Sequence, residues 1–153
     1  MIYKIKKLSC FVFTTLLFCS ISIIIKNVAI LFFNNKNLGL FTIDYIKNYG
    51  AAFSLFNNHT MILAIISFVI LFLLLIHIVK NVLSFKKSDY FFYSLLLAGI
   101  ISNLSERLLD GYVTDYIRLN WFAFPIFNIS DLFICIGSFI LICNILFNNE
   151  QQD

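Results

Sequence analysis

The run of residues 60–79 carries no formally charged side chain, and it restricts the fold more than any other feature of this sequence. A helix needs about 20 mostly apolar residues to cross roughly 30 Å of hydrocarbon. Three other apolar segments, at 8–25, 90–104 and 132–147, approach that length. The composition agrees, because 61% of the residues are hydrophobic and 12% are charged, whereas soluble domains have roughly 45–50% and about 25%. The sequence therefore predicts an integral membrane protein.

The last two apolar segments are too short to span a bilayer unless they extend into polar sequence. The extension places Glu106, Arg107 and Asp131 at membrane depth. Polar residues there usually face a bundle interior or a water-filled cavity, because unpaired polar groups in hydrocarbon are costly. We expect one domain over residues 1–153, an all-α membrane protein with a four-transmembrane-helix bundle and spans at 8–25, 60–79, 90–109 and 129–147.

Lysine and arginine residues in short loops predict the orientation of membrane helices, since they are enriched on the cytoplasmic side. Dense clusters lie before the first span and between the second and third: Lys4, Lys6, Lys7, Lys80, Lys86 and Lys87. We therefore expect both termini in the cytoplasm, and the connections 26–59 and 105–130 on the outer side. The count alone is not decisive, because the outer connections also contain basic residues: Lys26, Lys36, Lys47, Arg107 and Arg118.

Two aspartates, Asp115 and Asp131, flank the short polar stretch between the third and fourth apolar segments. Carboxylates at the edge of hydrocarbon are costly, so an acidic pair on one membrane face indicates a functional site. Two carboxyl groups that share one proton can activate water and protonate a leaving amide nitrogen. Which aspartate is the base stays open, because such a pair titrates as a unit. There are two structural alternatives: Asp131 with Ser130 caps the fourth helix, and Asp115 is a solvated loop residue.

Metal, cofactor and nucleic-acid chemistry have little support in the sequence. The cysteines lie in apolar segments without metal-ligand spacing and are interpreted as packing residues: Cys10, Cys19, Cys135 and Cys143. The two histidines, His59 and His77, have no acidic or cysteine cluster near them in the sequence. The lysines form no basic stripe with interleaved aromatic residues. We expect no metal, no cofactor and no nucleic-acid partner.

Three polar blocks lie in the outward half of the chain. They are Lys47-Asn48-Tyr49-Gly50-Ala51-Ala52-Phe53-Ser54, then Asn103-Leu104-Ser105-Glu106-Arg107 continuing to Gly111-Tyr112-Val113-Thr114-Asp115, then Phe127-Asn128-Ile129-Ser130-Asp131. In this order and at these positions between the spans, the blocks closely resemble those of the lipoprotein signal peptidases, also called signal peptidase II. The resemblance covers essentially the whole chain, and the three blocks together are far more specific than any one of them.

This resemblance implies an intramembrane aspartyl endopeptidase that removes the signal peptide from a diacylglyceryl-modified prolipoprotein, cutting before the lipid-modified cysteine. It implies Asp115 and Asp131 as the catalytic residues. The implied substrate-binding residues are Asn48, Gly50, Ala51, Phe53, Asn103, Arg107 and Asn128. The family also has a small extracytoplasmic β cradle and a short surface helix, which residues 41–56 and 110–122 would supply.

The resemblance also sets the expected surroundings of the protein. The location is the bacterial inner membrane, with the active site near the outer face. The partners are the lipid-modified prolipoprotein and membrane lipid, and we expect a monomer.

Three positions depart from the family pattern. Ser22 stands four residues before Lys26, where the first span commonly carries an aspartate, Ser102 replaces a common glycine, and Glu106 replaces the usual aspartate. None of them belongs to the implied dyad. The departures therefore bear on the supporting hydrogen bonds rather than on the type of reaction.

Several other outer residues have structural interpretations. Gly50 and Gly111 are expected to permit tight turns. Trp121, Tyr112 and Tyr116 suit an aromatic belt at the membrane interface.

The alternative function is that of a small non-enzymatic transporter or assembly protein, which would use the acidic pair for ion or proton passage. Such a protein is expected to have charged groups near the bilayer midplane and internally repeated halves. The sequence shows no repeat, and its acidic pair lies at one face. These observations favour the peptidase hypothesis.

Overall fold

The computed structural model describes residues 2–50 and 58–149, which form four helices and a three-stranded sheet. In chain order the elements are α1 (Ile2–Phe33), β1 (Lys36–Asn37), β2 (Phe41–Asn48), α2 (Thr60–Asn81), α3 (Lys87–Leu109), β3 (Val113–Leu119) and α4 (Ile129–Asn149). The predicted combination of a helical bundle with a small sheet is confirmed. No surface helix occurs within 41–50 or 110–122, which contain β2 and β3, and residues 51–57 lie outside the described part of the chain.

Two of the described helices, α1 and α2, are long and apolar enough to cross a membrane. Most of their side chains are exposed in the isolated chain, as expected for helices that face lipid. α4 has a shorter apolar stretch, Ile129–Asn144. The expectation that the chain crosses the membrane four times therefore stays a prediction.

α3 is the central helix of the bundle, because it packs against α1, α2 and α4. Leu97 of α3 lies in one apolar cluster with Phe11 of α1 and Ile78 of α2. Ala98 lies in a second cluster with Phe133 of α4. This position explains why polar residues make up a larger share of α3 than of α1 or α2, since many of its side chains contact other helices.

Two glycines bring α3 and α4 into close contact. A Cβ atom on Gly99 would lie 2.5 Å from the backbone oxygen of Ser130, and a Cβ atom on Gly137 would lie 2.9 Å from the nearest atoms of α3. A side chain at either position would push the helices apart. The Gly99 contact lies one helical turn from Asn103 and in the first turn of α4, so it limits the distance between Asn103 and Asp131.

The sheet has the order β1-β2-β3, with antiparallel neighbours. A register shift between Ile43 and Ile46 marks a β-bulge in β2, and beyond it Ile46 lies opposite Asp115. Gly111, in the turn from α3 to β3, has a φ of +79°, which favours glycine. The interpretation of Gly111 as a turn residue is therefore confirmed.

The segment before α4 is attached to the sheet. Phe127 forms an antiparallel bridge with Ile117 of β3, with backbone hydrogen bonds of 2.8 and 3.1 Å between them. The sheet also packs on α1 through a cluster of Ala29, Ile43 and Tyr116. These contacts bring the start of α4 next to the strand that carries Asp115.

Candidate active site

Asp115 and Asp131 line the same cavity, which has a volume of about 930 Å³ and lies where the sheet meets α3 and α4. Asp115 belongs to β3 and is only 3% exposed, so its interpretation as a solvated loop residue is wrong. Asp131 lies in the first turn of α4 and is half-buried. The structure thus brings both carboxyl groups to one cavity.

Two asparagine side chains bind the carboxyl group of Asp115. Asn48 Nδ2 donates to Asp115 Oδ2 at 2.7 Å, and Asn128 Nδ2 donates to Asp115 Oδ1 at 2.9 Å. Asn48 lies at the end of β2, and its Oδ1 accepts a hydrogen bond from the backbone N–H of Gly50 at 2.9 Å. Each oxygen of Asp115 therefore has a donor that is itself fixed by further contacts.

Asp131 is bound by a third asparagine and by the helix terminus. Asn103 Nδ2 donates to Asp131 Oδ1 at 2.8 Å, and the backbone N–H of Asn128 donates to Asp131 Oδ2 at 3.0 Å. Asn128 Oδ1 in turn accepts the backbone N–H of Asp131 at 3.0 Å, which completes a reciprocal cap of α4. Asp131 therefore does take part in a cap of α4, but its partner is Asn128 rather than the expected Ser130. This role is compatible with a position in the cavity.

The asparagines also contact one another. Asn128 Nδ2 lies 3.2 Å from Asn103 Oδ1, in addition to its contact with Asp115. A continuous chain of hydrogen bonds therefore joins the two carboxyl groups through Asn128 and Asn103. Because buried amides in such a network have few alternative arrangements, the network fixes the orientation of both acids.

Burial raises the pKa of Asp115 from 3.8 to about 6, and the negative charge of Asp131 adds to the rise. The hydrogen bonds from Asn48 and Asn128, and the positive charge of Arg107, lower the pKa but do not cancel the effect of burial. A carboxyl group with a pKa of about 6 exchanges its proton near neutral pH. This property suits general acid–base chemistry.

Arg107 lines the cavity from the last turn of α3. Its Nη1 lies 3.5 Å from the backbone oxygen of Asn103. Its Nε is buried and has no hydrogen-bond partner within residues 2–50 and 58–149. A buried N–H group without a partner is costly, and the guanidinium group places a positive charge in the wall that also holds Asp115 and Asp131.

The structure describes only one of the three remaining residues that the resemblance implies as substrate-binding. Gly50 is buried directly after β2, beside Asn48. Ala51 and Phe53 lie outside the described residues. The structure therefore brings together Asp115, Asp131, Asn48, Asn103, Arg107 and Asn128, with Gly50 adjacent.

Glu106 connects α1 to the strand of Asp115. Its Oε1 accepts a hydrogen bond from Lys26 Nζ at 3.0 Å, and its Oε2 accepts the backbone N–H of Thr114 at 2.7 Å. Thr114 precedes Asp115 in β3, so the carboxylate of Glu106 fixes the backbone next to that residue. Glu106, one of the three departures from the family pattern, thus has a defined structural role.

The other two departures contact each other. The hydroxyl groups of Ser22 and Ser102 are 2.9 Å apart and form a buried hydrogen bond between α1 and α3. Both residues line a second, polar cavity of about 300 Å³, which Asn128 also lines. Uncharged hydroxyl groups therefore join the two helices at this position.

Two residues near the site are placed differently from their interpretation in the sequence. Tyr116 is 1% exposed, and its Oη accepts the backbone N–H of Ile129 at 3.3 Å, so its assignment to an interfacial belt is wrong. Cys135 lines the same cavity as Asp115 and Asp131, one turn after Asp131. Helical spacing from Asp131 was the one signal in the sequence that could have placed Cys135 there.

The fold is that of known membrane enzymes. One bacterial membrane enzyme solved by the in meso method matches with a TM-score of 0.81 and 23% identity, covering 95% of this chain and 92% of that chain. A second matches with a TM-score of 0.74 and 25% identity, covering 90% and 93%. The protein is therefore a membrane protein with the fold of these enzymes.

Sequence relatives give the family. A family model described as signal peptidase (SPase) II matches residues 10–147, and the chain therefore belongs to the signal peptidase II family. A lipoprotein signal peptidase of Streptococcus thermophilus (strain CNRZ 1066) is 35% identical over 115 residues, which are 74% of this chain and 72% of the relative. One of Histophilus somni (strain 129Pt) is 29% identical over 136 residues, 85% and 81% of the two chains. The resemblance predicted from the three blocks is confirmed, and the ion-passage alternative loses its support.

Proposed function

We propose that this protein is an aspartic endopeptidase with Asp115 and Asp131 as its catalytic dyad. As a member of the signal peptidase II family, it removes signal peptides from prolipoproteins. The observation that carries the proposed mechanism is the pair of carboxyl groups that line one cavity and share Asn128 as a partner. The common cavity and the shared partner residue, which binds Asp115 through its side chain and Asp131 through its backbone N–H, support a single catalytic unit.

The dyad acts with one proton between its two carboxyl groups. The ionised carboxylate removes a proton from a water molecule, and the water oxygen forms a bond to the carbonyl carbon of the scissile peptide. The resulting tetrahedral intermediate breaks its C–N bond, and the leaving nitrogen takes a proton from the dyad. The raised pKa of Asp115 supports this sharing, because a buried pair of acids does not ionise fully at neutral pH. The base is not assigned to either residue, since the pair titrates as a unit.

Arg107 binds the substrate oxygen on which negative charge develops. The support is the place of this positively charged side chain in the wall of the cavity, together with both carboxyl groups. A fixed donor at that oxygen stabilises the transition state more than the ground state. The other proposed substrate-binding residues are Asn48, Gly50, Ala51, Phe53, Asn103 and Asn128.

The cavity wall suits a signal peptide in an extended conformation. Polar groups of the dyad and its asparagines lie among apolar side chains, namely Ile46, Val113, Pro125, Ile126, Leu132 and Ile134. Apolar walls bind an apolar segment of a substrate, while a few polar groups fix the scissile bond. The resemblance to the lipoprotein signal peptidases implies that the prolipoprotein carries its diacylglyceryl group when it is cut, immediately before the modified cysteine.

The protein acts as a monomer and as one domain in the bacterial inner membrane, with both termini in the cytoplasm. The lysine clusters before the first span and between the second and third support this orientation. The site then lies near the outer face of the membrane, where the modified cysteine of the substrate is expected.

The test is cleavage by the purified protein in detergent micelles, with a peptide that carries a diacylglyceryl-cysteine. Asp115→Asn and Asp131→Asn keep the shape of the side chain but remove the shared proton. We expect each to lower the rate by about 1,000-fold, since loss of general acid–base catalysis costs roughly 10²- to 10⁴-fold. The matched control is Asp110→Asn, because Asp110 is exposed at the end of α3 and outside the cavity wall. Insertion into membranes and thermal unfolding show that each variant is folded.

A wild-type rate in either folded dyad variant would overturn the mechanism. An equal loss of rate in Asp110→Asn would show that the assay reports general damage rather than loss of the dyad.

A further inference from the structure

Two neighbouring turns of the sheet carry large apolar side chains that project into solvent in the isolated chain. The exposed fractions are 44% for Leu38 and 72% for Leu40, in the turn between β1 and β2, and 71% for Trp121 and 56% for Phe122, directly after β3. We call these four residues the apolar patch. A contiguous group of this kind usually marks an interaction surface.

The apolar patch is held together by Asn120. The backbone N–H of Asn120 donates to the oxygen of Leu40 at 3.0 Å, and its Nδ2 donates to the oxygen of Gly39 at 2.8 Å. Its Oδ1 accepts a hydrogen bond from Thr42 Oγ1 at 2.8 Å. These contacts join the two turns and fix their apolar side chains on one edge of the sheet. The patch is therefore one surface whose two turns are joined by hydrogen bonds, rather than a pair of independent loops.

One side of the apolar patch is continuous with the membrane-facing surface of α1. Leu38 also lines an apolar groove of about 380 Å³ between α1 and the sheet, together with Ile24, Ile25, Val28, Ala29, Phe33 and Ile43. The helix α1 ends at Phe33, and β1 begins at Lys36, whose Nζ lies 5.4 Å from the centre of the Phe33 ring. The patch therefore lies close to the end of a helix that is long and apolar enough to cross the bilayer.

The other side of the apolar patch leads to the catalytic cavity. The rings of Trp121 and Phe122 are 6.0 Å apart, those of Phe122 and Phe124 are 6.3 Å apart, and those of Phe124 and Phe127 are 5.9 Å apart. Phe124 and Phe127 line the cavity. A row of aromatic rings thus runs from the patch to the cavity wall.

We propose that the apolar patch inserts into the interfacial layer of a phospholipid bilayer and holds the mouth of the catalytic cavity at the membrane surface. Tryptophan suits this layer because its ring has a polar N–H and an apolar body, and phenylalanine and leucine add apolar area that inserts at the boundary of the acyl chains. Lys36, on a strand next to the patch, supplies positive charge for lipid phosphates. The entry of a lipid-modified substrate along the row of rings rests on the proposed function, whereas insertion of the patch does not.

Trp121 makes the insertion directly measurable, because it is the one tryptophan of the whole chain. The full chain is reconstituted in nanodiscs of phosphatidylethanolamine and phosphatidylglycerol, with either ordinary lipids or lipids brominated near the headgroup end of the acyl chains. We expect bromine to quench the emission by about half and iodide in solution to quench it weakly, since interfacial side chains lie roughly 5–10 Å into the boundary layer.

Two results would overturn the insertion. One is emission that iodide quenches strongly and brominated lipid does not change. The other is protection from iodide that appears only as the number of protein copies per nanodisc rises, which would assign the patch to a second copy of the chain.

Variants test the role of the patch separately from the chemistry. Asn120→Ala removes the side-chain contacts between the two turns, and we expect brominated lipid to quench Trp121 less. The double variant Leu38→Ser/Leu40→Ser should lower cleavage of a lipid-modified peptide in nanodiscs about 10-fold or more, while the rate in detergent micelles, which have no bilayer plane, stays at the wild-type value. Leu83→Ser is the matched control, because Leu83 is 51% exposed in the connection between α2 and α3.

The arms of the experiment separate the two proposals. Quenching by brominated lipid without any cleavage would keep the insertion and remove the proposed function. If the double variant loses the same fraction of its cleavage rate in nanodiscs and in micelles, the role of the patch in substrate entry is overturned.

Discussion

The side-chain amide of Asn128 donates a hydrogen bond to Oδ1 of Asp115 at 2.9 Å. The carbonyl oxygen of the same amide accepts the backbone N–H of Asp131 and so caps α4. One asparagine therefore combines a structural role with a role at the carboxyl pair. Because the two roles use different atoms of the side chain, they can be separated by substitution.

Asn128→Ser should keep the helix cap and lose the donor to Asp115, whereas Asn128→Ala should lose both. Serine is a good N-cap residue, and replacing a capping side chain by alanine costs about 1 kcal/mol. We expect both variants to cleave about 10- to 100-fold more slowly, since a hydrogen bond to a charged group contributes roughly 1.5–3 kcal/mol. Only Asn128→Ala should show the additional loss in thermal stability. Initial rates and unfolding midpoints measure the two effects, and a wild-type rate in Asn128→Ser would contradict the role of the amide.

The raised pKa of Asp115 predicts a pH dependence of stability. Because the folded protein favours the protonated acid, the stabilisation from Asp115 is complete below pH 3.8 and is lost as the pH rises through about 6. The loss is on the order of 2–3 kcal/mol, since one pKa unit corresponds to about 1.4 kcal/mol. Asp115→Asn cannot ionise, so its unfolding midpoint should fall less than that of the wild type between pH 4 and pH 7.

The slope of the unfolding midpoint against pH is the quantity to compare. The absolute midpoints differ for another reason, because the amide of Asp115→Asn leaves one asparagine donor without an acceptor at every pH. Asp110→Asn is the control, and it should follow the wild-type slope. Parallel slopes for the wild type and Asp115→Asn would show that Asp115 has no raised pKa in the folded protein.

The sequence predicted much of the candidate site because its residues fall in short blocks with recognisable spacing. The positions of Asp115, Asp131 and the three asparagines follow from those blocks and from the resemblance that they carry. The convergence itself depends on contacts between distant parts of the chain. The bridge of Phe127 to Ile117 and the close approach at Gly99 have no local signal in the sequence.

The error at Tyr116 has a similar cause. A tyrosine near a predicted membrane boundary suits the interface, but β3 is covered on both faces, and four successive residues from Val113 to Tyr116 are buried. Burial of both faces removes the alternation that would have identified an inward-facing side chain. Composition and apolar length were sufficient for the class of fold, whereas they could not place individual side chains in the sheet.

Glu106 is predicted to act as a positioning residue for Asp115. Glu106→Ala removes the acceptor for the backbone N–H of Thr114 and leaves Lys26 without its carboxylate partner. We expect kcat to fall about 10-fold or more with a smaller change in KM, because the displaced strand carries Asp115, a proposed catalytic residue. Glu106→Gln keeps an acceptor oxygen, so its kcat should lie between those of Glu106→Ala and the wild type. If Glu106→Ala and the wild type have the same kcat, the contact with Thr114 does not control the geometry of the dyad.

The contact between α3 and α4 at Gly99 gives the last prediction. In Gly99→Ala the new Cβ would lie 2.5 Å from the backbone oxygen of Ser130, so the helices must move apart at the first turn of α4. Overpacking of this kind costs about 1–3 kcal/mol, and the movement should lengthen the hydrogen bond between Asn103 and Asp131. We therefore expect a lower unfolding midpoint together with at least about a 10-fold loss of cleavage, since small displacements of catalytic groups are costly. Ser88→Ala, at an exposed position in the first turn of the same helix, should change neither quantity. A Gly99→Ala protein with wild-type stability and rate would show that α3 and α4 can separate without disturbing the carboxyl pair.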